Sequence, residues 1–350
     1  MCVSIKIKDK YINKESSTFI IAEISANHNG DFNKTAEIIK AAKYAGADAI
    51  KLQTYTPDTI TLDCDKEYFQ IKQGTIWDGT TLHKLYEKAY MPWHWQPELK
   101  EIAEKENLIC FSSPFDKTAV DFLEDMDVPA YKIASFEITD IPLIEYIASK
   151  SKPIIISTGI ATLSDIEEAI NACKRVGNNQ IALLKCTSAY PAPIEEANLK
   201  TMVNMNETFN VITGLSDHTL GSTVAVAAVA LGAKIIEKHF TLSRKNGGPD
   251  SKFSMEPEEF KQMVKDIRNV EKSLGKVSYE LTEKQKKSRE FSRSLFIVKD
   301  IKEGEDFTEE NVKSIRPAYG MQPKYMKNII GKKANCDINK GIPMNWNFIR

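Results

Sequence analysis

The sequence predicts a (β/α)8 barrel carrying a small C-terminal domain, on three observations. Eight short apolar runs recur between residues 19 and 240, each flanked by Gly, Pro or polar clusters. Stretches of helical periodicity separate them. With 350 residues the chain is long enough for one large barrel or two domains. Eight strand–helix repeats ending near residue 274 match such a barrel in number and size. A doubly wound sheet would show the same alternation, but no GxGxxG follows the first run.

In order, the runs are FIIAEI (19–24), AIKLQT (49–54), LICFSS (108–113), YKIAS (131–135), PIIIST (153–158), IALLKCT (181–187), NVITGLS (210–216) and KIIEKHF (234–240). They are continuously rich in Ile, Val, Leu and Phe, the pattern of parallel strands covered on both faces. Helical periods such as NKTAEIIKAAKYAG (33–46) and SDIEEAINACKRVG (164–177) open on an N-cap-type Asn or Ser and stop at Gly. Residues 55–97 break the rhythm between the second strand and its helix. A connection this long points to function, and we read it as a partly helical flap over the barrel mouth, with three of the four tryptophans. A surface insertion without function is the competing reading. The barrel domain spans 1–280 and a charged, helix-favouring linker 281–290. Residues 291–350 form a small domain of short strands and turns, marginal in size and expected to pack on the barrel or on a partner.

Composition narrows the function classes. Hydrophobic residues make up 42% and charged residues 27%, as in an ordinary soluble protein with a large core. A net charge of -1, from 47 basic and 48 acidic residues, argues against a nucleic-acid footprint or a polybasic membrane anchor. No apolar run reaches the ~18 residues of a membrane span, and MCVSIKIKDK lacks a signal-peptide h-region. The cysteines at 2, 64, 110, 173, 186 and 336 have no CxxC spacing, so reduced thiols in a cytoplasmic protein are expected.

In this fold the C-terminal strand ends carry the site. Those ends hold Glu23, Lys51, Gln53, Ser112, Ser113, Lys132, Ser135, Glu137, Ser157, Thr158, Ser188, Tyr190, Ser216, Asp217, His218, Glu237 and His239. Lys51 and Lys132 sit among apolar strand residues, where an unpaired ammonium is costly to desolvate. With several hydroxyls around one mouth they suit a multiply charged anion such as a phosphate bearing a carboxylate. A structural ion pair with Glu23 or Glu137 is the alternative. His218 and His239, two of five histidines, end neighbouring strands. They suit an open Mn2+, Zn2+ or Fe2+ site able to polarise a carbonyl, and equally a His–Asp pair without metal. Asp217 could instead cap the following helix, and Gly30 in HNGDF could supply a positive-φ turn. The glycine-rich NGGPDSKFS (246–254) bears Asp250.

The motifs AEISANHNG, GADAIKLQT, FSSPF, YKIASFE, STGIAT, CTSAYP, GLSDHT, EKHF and GGPDSKFS, in this order, resemble the sialic acid synthase family of phosphoenolpyruvate-condensing enzymes. The C-terminal segment resembles that family's antifreeze-protein-like SAF domain. KLQTYTPDTITLDCDKE, WDGTTLHKLYE and CTSAYP resemble its pseudaminic acid branch; the N-acetylneuraminate branch carries asparagine where Ser188 stands.

The resemblance implies metal-dependent condensation of phosphoenolpyruvate with an open-chain 2,4-diacetamido-6-deoxy sugar, releasing phosphate. It implies that Lys51, Ser113, Lys132, Ser135, Ser157 and Ser216 bind phosphoenolpyruvate. His218 and His239 would hold Mn2+, with Mg2+ or Co2+ as alternatives. Glu23 and Glu137 would flank the sugar, Glu23 being the first choice to position a water. Gln53, Ser188, Tyr190 and Asp250 would complete the sugar site. Arg316 in IRPAYG would reach in from the SAF domain of a second subunit, which implies a domain-swapped homodimer. Neither nucleic acid nor membrane is an expected partner.

Overall fold

A computed structural model of the chain describes residues 3–72 and 74–350. It resolves into two compact units, Met1–Gly275 and Lys276–Arg350. The first opens with an antiparallel hairpin, β1 (Ser4–Ile7) and β2 (Lys10–Asn13), which the sequence reading did not assign. Its alternation turns Ile5, Ile7 and Ile12 into the barrel's apolar core. Each such buried side chain contributes about 2 kcal/mol.

The eight expected runs form β3 (Phe19–Glu23), β4 (Ala49–Thr54), β5 (Ile109–Pro114), β6 (Tyr131–Ile133), β7 (Ile154–Ser157), β8 (Ile181–Cys186), β9 (Ile212–Asp217) and β10 (Ile235–His239). All are parallel, and the sheet closes through pairing of β10 with β3. The strands are buried almost throughout because side chains fill the barrel and helices cover it. Register does much of the site's assembly. Glu23 lies opposite both Lys51 and His239, Gln53 opposite Ser113, and Ser216 opposite both Cys186 and Glu237. The β9–β10 contact is close: a Cβ at Gly214 would fall 2.2 Å from the Ile235 carbonyl oxygen.

Three expectations need correction. The fourth strand ends at Ile133, and Ser135–Glu137 form a separate 3-10 turn, so Ser135 and Glu137 are on a loop. The helices expected at 33–46 and 164–177 run Phe32–Tyr44 and Leu163–Arg175, capped by Asp31 and Thr162. Asp217 caps no helix; its carboxylate accepts from Thr219 N and Oγ1 and from Lys238 Nζ.

The connection after β4 is partly helical, with helices Pro57–Ile60 and Leu82–Ala89 and 3-10 turns Glu67–Phe69 and Trp93–Trp95. Thr81 caps the second helix, accepting from Lys84 N at 3.4 Å. Gly30 holds the first strand–helix loop at φ 71°.

The second unit begins with an exposed helix, Glu283–Arg289, stabilised by a Thr282–Gln285 capping box. β11 (Ser294–Ile297) and β12 (Val312–Ile315) pair antiparallel over a separate core that includes Leu295, Ile297, Phe307 and Ile338. Arg316 follows β12. Among the described residues no helix is long and apolar enough to cross a membrane.

Candidate active site

The C-terminal ends of the barrel strands open into a cavity of about 720 Å3. A chain of hydrogen bonds and ion pairs runs along its polar side. Asp250 accepts from Ser25 Oγ at 2.5 Å, and Gln53 Nε2 donates to Ser25 Oγ at 3.0 Å and to Glu23 Oε1 at 2.9 Å. Lys51 Nζ lies 3.0 Å from Glu23 Oε2 and 3.1 Å from Glu237 Oε1, which also accepts from Ser216 Oγ at 3.1 Å. Lys51 is thus held by two carboxylates, and its ion pair is real.

Lys132 differs. Its Nζ donates to Ser157 Oγ at 2.6 Å and to the Ile133 carbonyl at 2.9 Å, and no described carboxylate comes within ion-pair distance. Burial pulls its ammonium down to about 8. A buried cation with no carboxylate in direct contact is costly, and an anionic ligand in this cavity would relieve that cost.

The carboxyls divide by environment. Burial raises Glu23 above its ordinary value, Lys51 opposes the rise and Glu237 adds to it. Burial also acts on Glu237, but Lys51 and Lys132 outweigh it and hold that group low. Glu137 is pushed by burial to about 7, and its Oε2 is buried without a hydrogen-bond partner. Burial raises Asp250 as well.

His218 and His239 face each other with ring centroids 5.3 Å apart. His218 Nδ1 donates to the Thr187 carbonyl at 2.9 Å, which leaves Nε2 for a ligand. His239 Nδ1 is buried with no partner. Burial, reinforced by His218, keeps His239 well below its ordinary value and therefore neutral, the form that binds metal. The orphaned nitrogen fits a divalent ion. The described residues contain no group of three or more His, Cys, Asp or Glu arranged for metal, so a two-imidazole site would leave coordination positions open to substrate. The alternative His–Asp pair does not form, since Asp217 is committed to Thr219 and Lys238.

Ser135 and Ser188 join at 2.9 Å, Oγ to Oγ, and Ser135 accepts from Ile160 N at 3.1 Å. Gly159 backs this pair closely: a Cβ there would lie 2.2 Å from Ser188 Oγ and 2.7 Å from Ser135 Oγ. Tyr190 packs on His218 at 4.3 Å between ring centroids. Ser113 is fully buried, its Oγ unpaired and outside the cavity lining. Arg316 belongs to the C-terminal unit.

The structure gives parts to residues for which the sequence reading had none. Glu237 is the second partner of Lys51; it sits two positions before His239 on one strand, and period-2 alternation sends both side chains inward. Ser25 bridges Gln53 and Asp250 from a backbone at φ 46°, with no sequence signal. The flap residues reach the cavity, but of its tryptophans only Trp77 lines it, donating Nε1–H to the Pro249 carbonyl at 3.2 Å. Trp93 packs on Phe122 and Trp95 on Phe32.

Residues 38–279 match the NeuB family and residues 292–350 the SAF domain. The chain is 51% identical over 329 residues to a pseudaminic acid synthase of Campylobacter jejuni (strain 81-176), covering 94% of this chain and 96% of that protein. It is 49% identical over 326 residues to a pseudaminic acid synthase of Helicobacter pylori, covering 93% and 96%. The crystal structure of an N-acetylneuraminic acid synthetase from Leptospira borgpetersenii aligns with TM-score 0.74 at 32% identity, covering 82% of this chain and 95% of that one.

Proposed function

The chain belongs to the NeuB family, the sialic acid synthases, and on that premise we propose that it condenses phosphoenolpyruvate with open-chain 2,4-diacetamido-2,4,6-trideoxy-altrose to give pseudaminic acid and phosphate. One observation carries the reading: a single mouth combines a buried ammonium with no carboxylate in direct contact, Lys132, with two imidazoles at neighbouring strand ends. An anion site beside a carbonyl-activating site is what joining an enol phosphate to an aldehyde requires. The half-identical relatives named pseudaminic acid synthase support the choice of sugar.

In this proposal Lys132, Lys51 and the hydroxyls of Ser135, Ser157 and Ser216 bind phosphoenolpyruvate and offset its charge through the reaction; Ser113, outside the cavity lining, takes no part. Gln53, Ser188, Tyr190 and Asp250 orient the sugar. Carbon 3 of phosphoenolpyruvate attacks the aldehyde carbon, and the carbonyl oxygen becomes a hydroxyl. Water adds to the cationic carbon 2 and loses a proton; the tetrahedral intermediate then expels phosphate. Glu23, held by Lys51 and Gln53, is placed to orient that water, and Glu137, titrating near 7 with a free oxygen, to move its proton. His218 and His239 would hold the divalent ion, Mn2+ by choice or Mg2+ or Co2+, whose contribution when bound is to polarise the sugar aldehyde.

A homodimer with exchanged C-terminal domains, in which Arg316 of one copy serves the mouth of another, and a cytoplasmic location complete the proposal; motif resemblance supports the first and the cysteine pattern the second. The test is phosphate release from phosphoenolpyruvate with Mn2+ and a panel of sugars. Release with the altrose derivative supports the reading. Release only with N-acetylmannosamine, or with the legionaminic acid precursor, reassigns the chain within the family.

A further inference from the structure

The flap helix Leu82–Ala89 is amphipathic, yet none of its residues is buried. Leu82, Leu85, Tyr86 and Ala89, spaced i, i+3, i+4 and i+7, all line the cavity, while Lys84, Glu87 and Lys88 face solvent. An apolar stripe of this width normally seals against a core. Here it forms one wall of the substrate cavity, extended by Ile60 and Ile71. Tyr55, also in the lining, stacks edge-on against Tyr86 at 5.5 Å and Phe115 at 5.2 Å.

The wall is fixed in place. His28 Nδ1 accepts from Gly30 N at 3.0 Å, so its proton is on Nε2, which donates to the Ala89 carbonyl at 3.2 Å. Trp77 ties the flap to Pro249 on the opposite loop. The polar wall of the same cavity carries the lysines and histidines. Its occupant is therefore two-sided, with anionic and hydroxyl groups on one side and methyl groups on the other.

We propose that Leu82, Leu85, Tyr86 and Ile60 form a specificity wall that receives the methyl groups of the sugar, its C6 methyl above all, and so favours a 6-deoxy, diacetamido substrate over a 6-hydroxylated one. The inference rests on the proposed function and assigns its sugar selectivity to the flap. A hydroxymethyl group against the aliphatic part of this wall, Leu82, Leu85 and Ile60, would be desolvated with no hydrogen-bond partner from those side chains.

The test measures kcat/KM for the trideoxy sugar and for its 6-hydroxy counterpart, in wild type, Leu85→Asn and Leu85→Met. Wild type should favour the trideoxy sugar by on the order of 10-fold or more, as hydrophobic pockets discriminate single small groups. Leu85→Asn should remove most of that preference, acting through the KM for sugar and much less through that for phosphoenolpyruvate. Leu85→Met, which keeps volume and apolarity, should retain it. If Leu85→Asn does not fold, as judged by its melting curve, Ile60→Thr reads the same wall from another element. An equal loss for both sugars in these variants, with the ratio unchanged, overturns the specificity wall and leaves the proposed function standing. Wild-type turnover of N-acetylmannosamine but not of the trideoxy sugar overturns both.

Discussion

Replacing Lys238 by Met tests how the two imidazole-bearing strands are held together. Lys238 Nζ lies 2.6 Å from Asp217 Oδ2 and 2.6 Å from the Thr219 carbonyl, and both charged side chains are 1% exposed. The pair ties the segment carrying His218 to the strand carrying His239. Methionine matches lysine in length and apolar stem, so little cavity is created. The loss instead comes from a carboxylate left buried with only Thr219 as donor. Breaking a buried pair from one side costs about 3 to 5 kcal/mol. For a unit of this size about 3 °C of Tm accompanies each kcal/mol, so the barrel should melt roughly 10 °C lower. Calorimetry measures this directly. The double variant Asp217→Asn, Lys238→Met should recover a good part of the loss, because it removes the stranded charge. If Lys238→Met melts with wild type, or the double variant loses the sum of the two singles, the pair does not hold these strands and the reasoning fails.

Other outcomes follow from the site's electrostatics. Lys132→Ala should raise the KM for phosphoenolpyruvate by roughly 10- to 100-fold, the weight of a lost charge-assisted hydrogen bond, and steady-state kinetics would show it. Glu137 has its folded value raised from 4.5 to about 7, so its buried carboxylate costs stability that is absent below 4.5 and full above 7. Glu137→Gln should accordingly melt higher than wild type at pH 8 but not at pH 4, while losing the acidic limb of the kcat profile near pH 7. His239→Ala should abolish tight Mn2+ binding seen by electron paramagnetic resonance, and chelation should stop phosphate release by wild type until Mn2+ is restored.

The barrel was legible because eight apolar runs leave little choice of partner, and strand ends then follow from where apolarity gives way. Lys51, Lys132, His218 and His239 were found this way, and register brought them to one mouth. The N-terminal hairpin was missed because strands of four residues with lysines on the outer face do not stand out from a polar terminus. Ser135 was placed on a strand, with Glu137 at its end, because YKIASFE has no break residue, although the chain turns after Ile133. Glu237 lay in view between apolar Ile236 and His239, yet only the ion pair across two strands shows its part. Ser25 and the flap's apolar stripe were not legible as site features, because their contacts join residues far apart in sequence.

The tight seat of Gly159 makes two positions into one variable. Its backbone is of a kind any residue adopts, so crowding by Ser188 Oγ, Ser135 Oγ and, at 3.2 Å, Cys186 Sγ is what forbids a side chain. A methyl at 159 demands that the hydroxyls of both Ser188 and Ser135 give way. A bulkier side chain at 188 would close position 159 further, so the two positions should vary together.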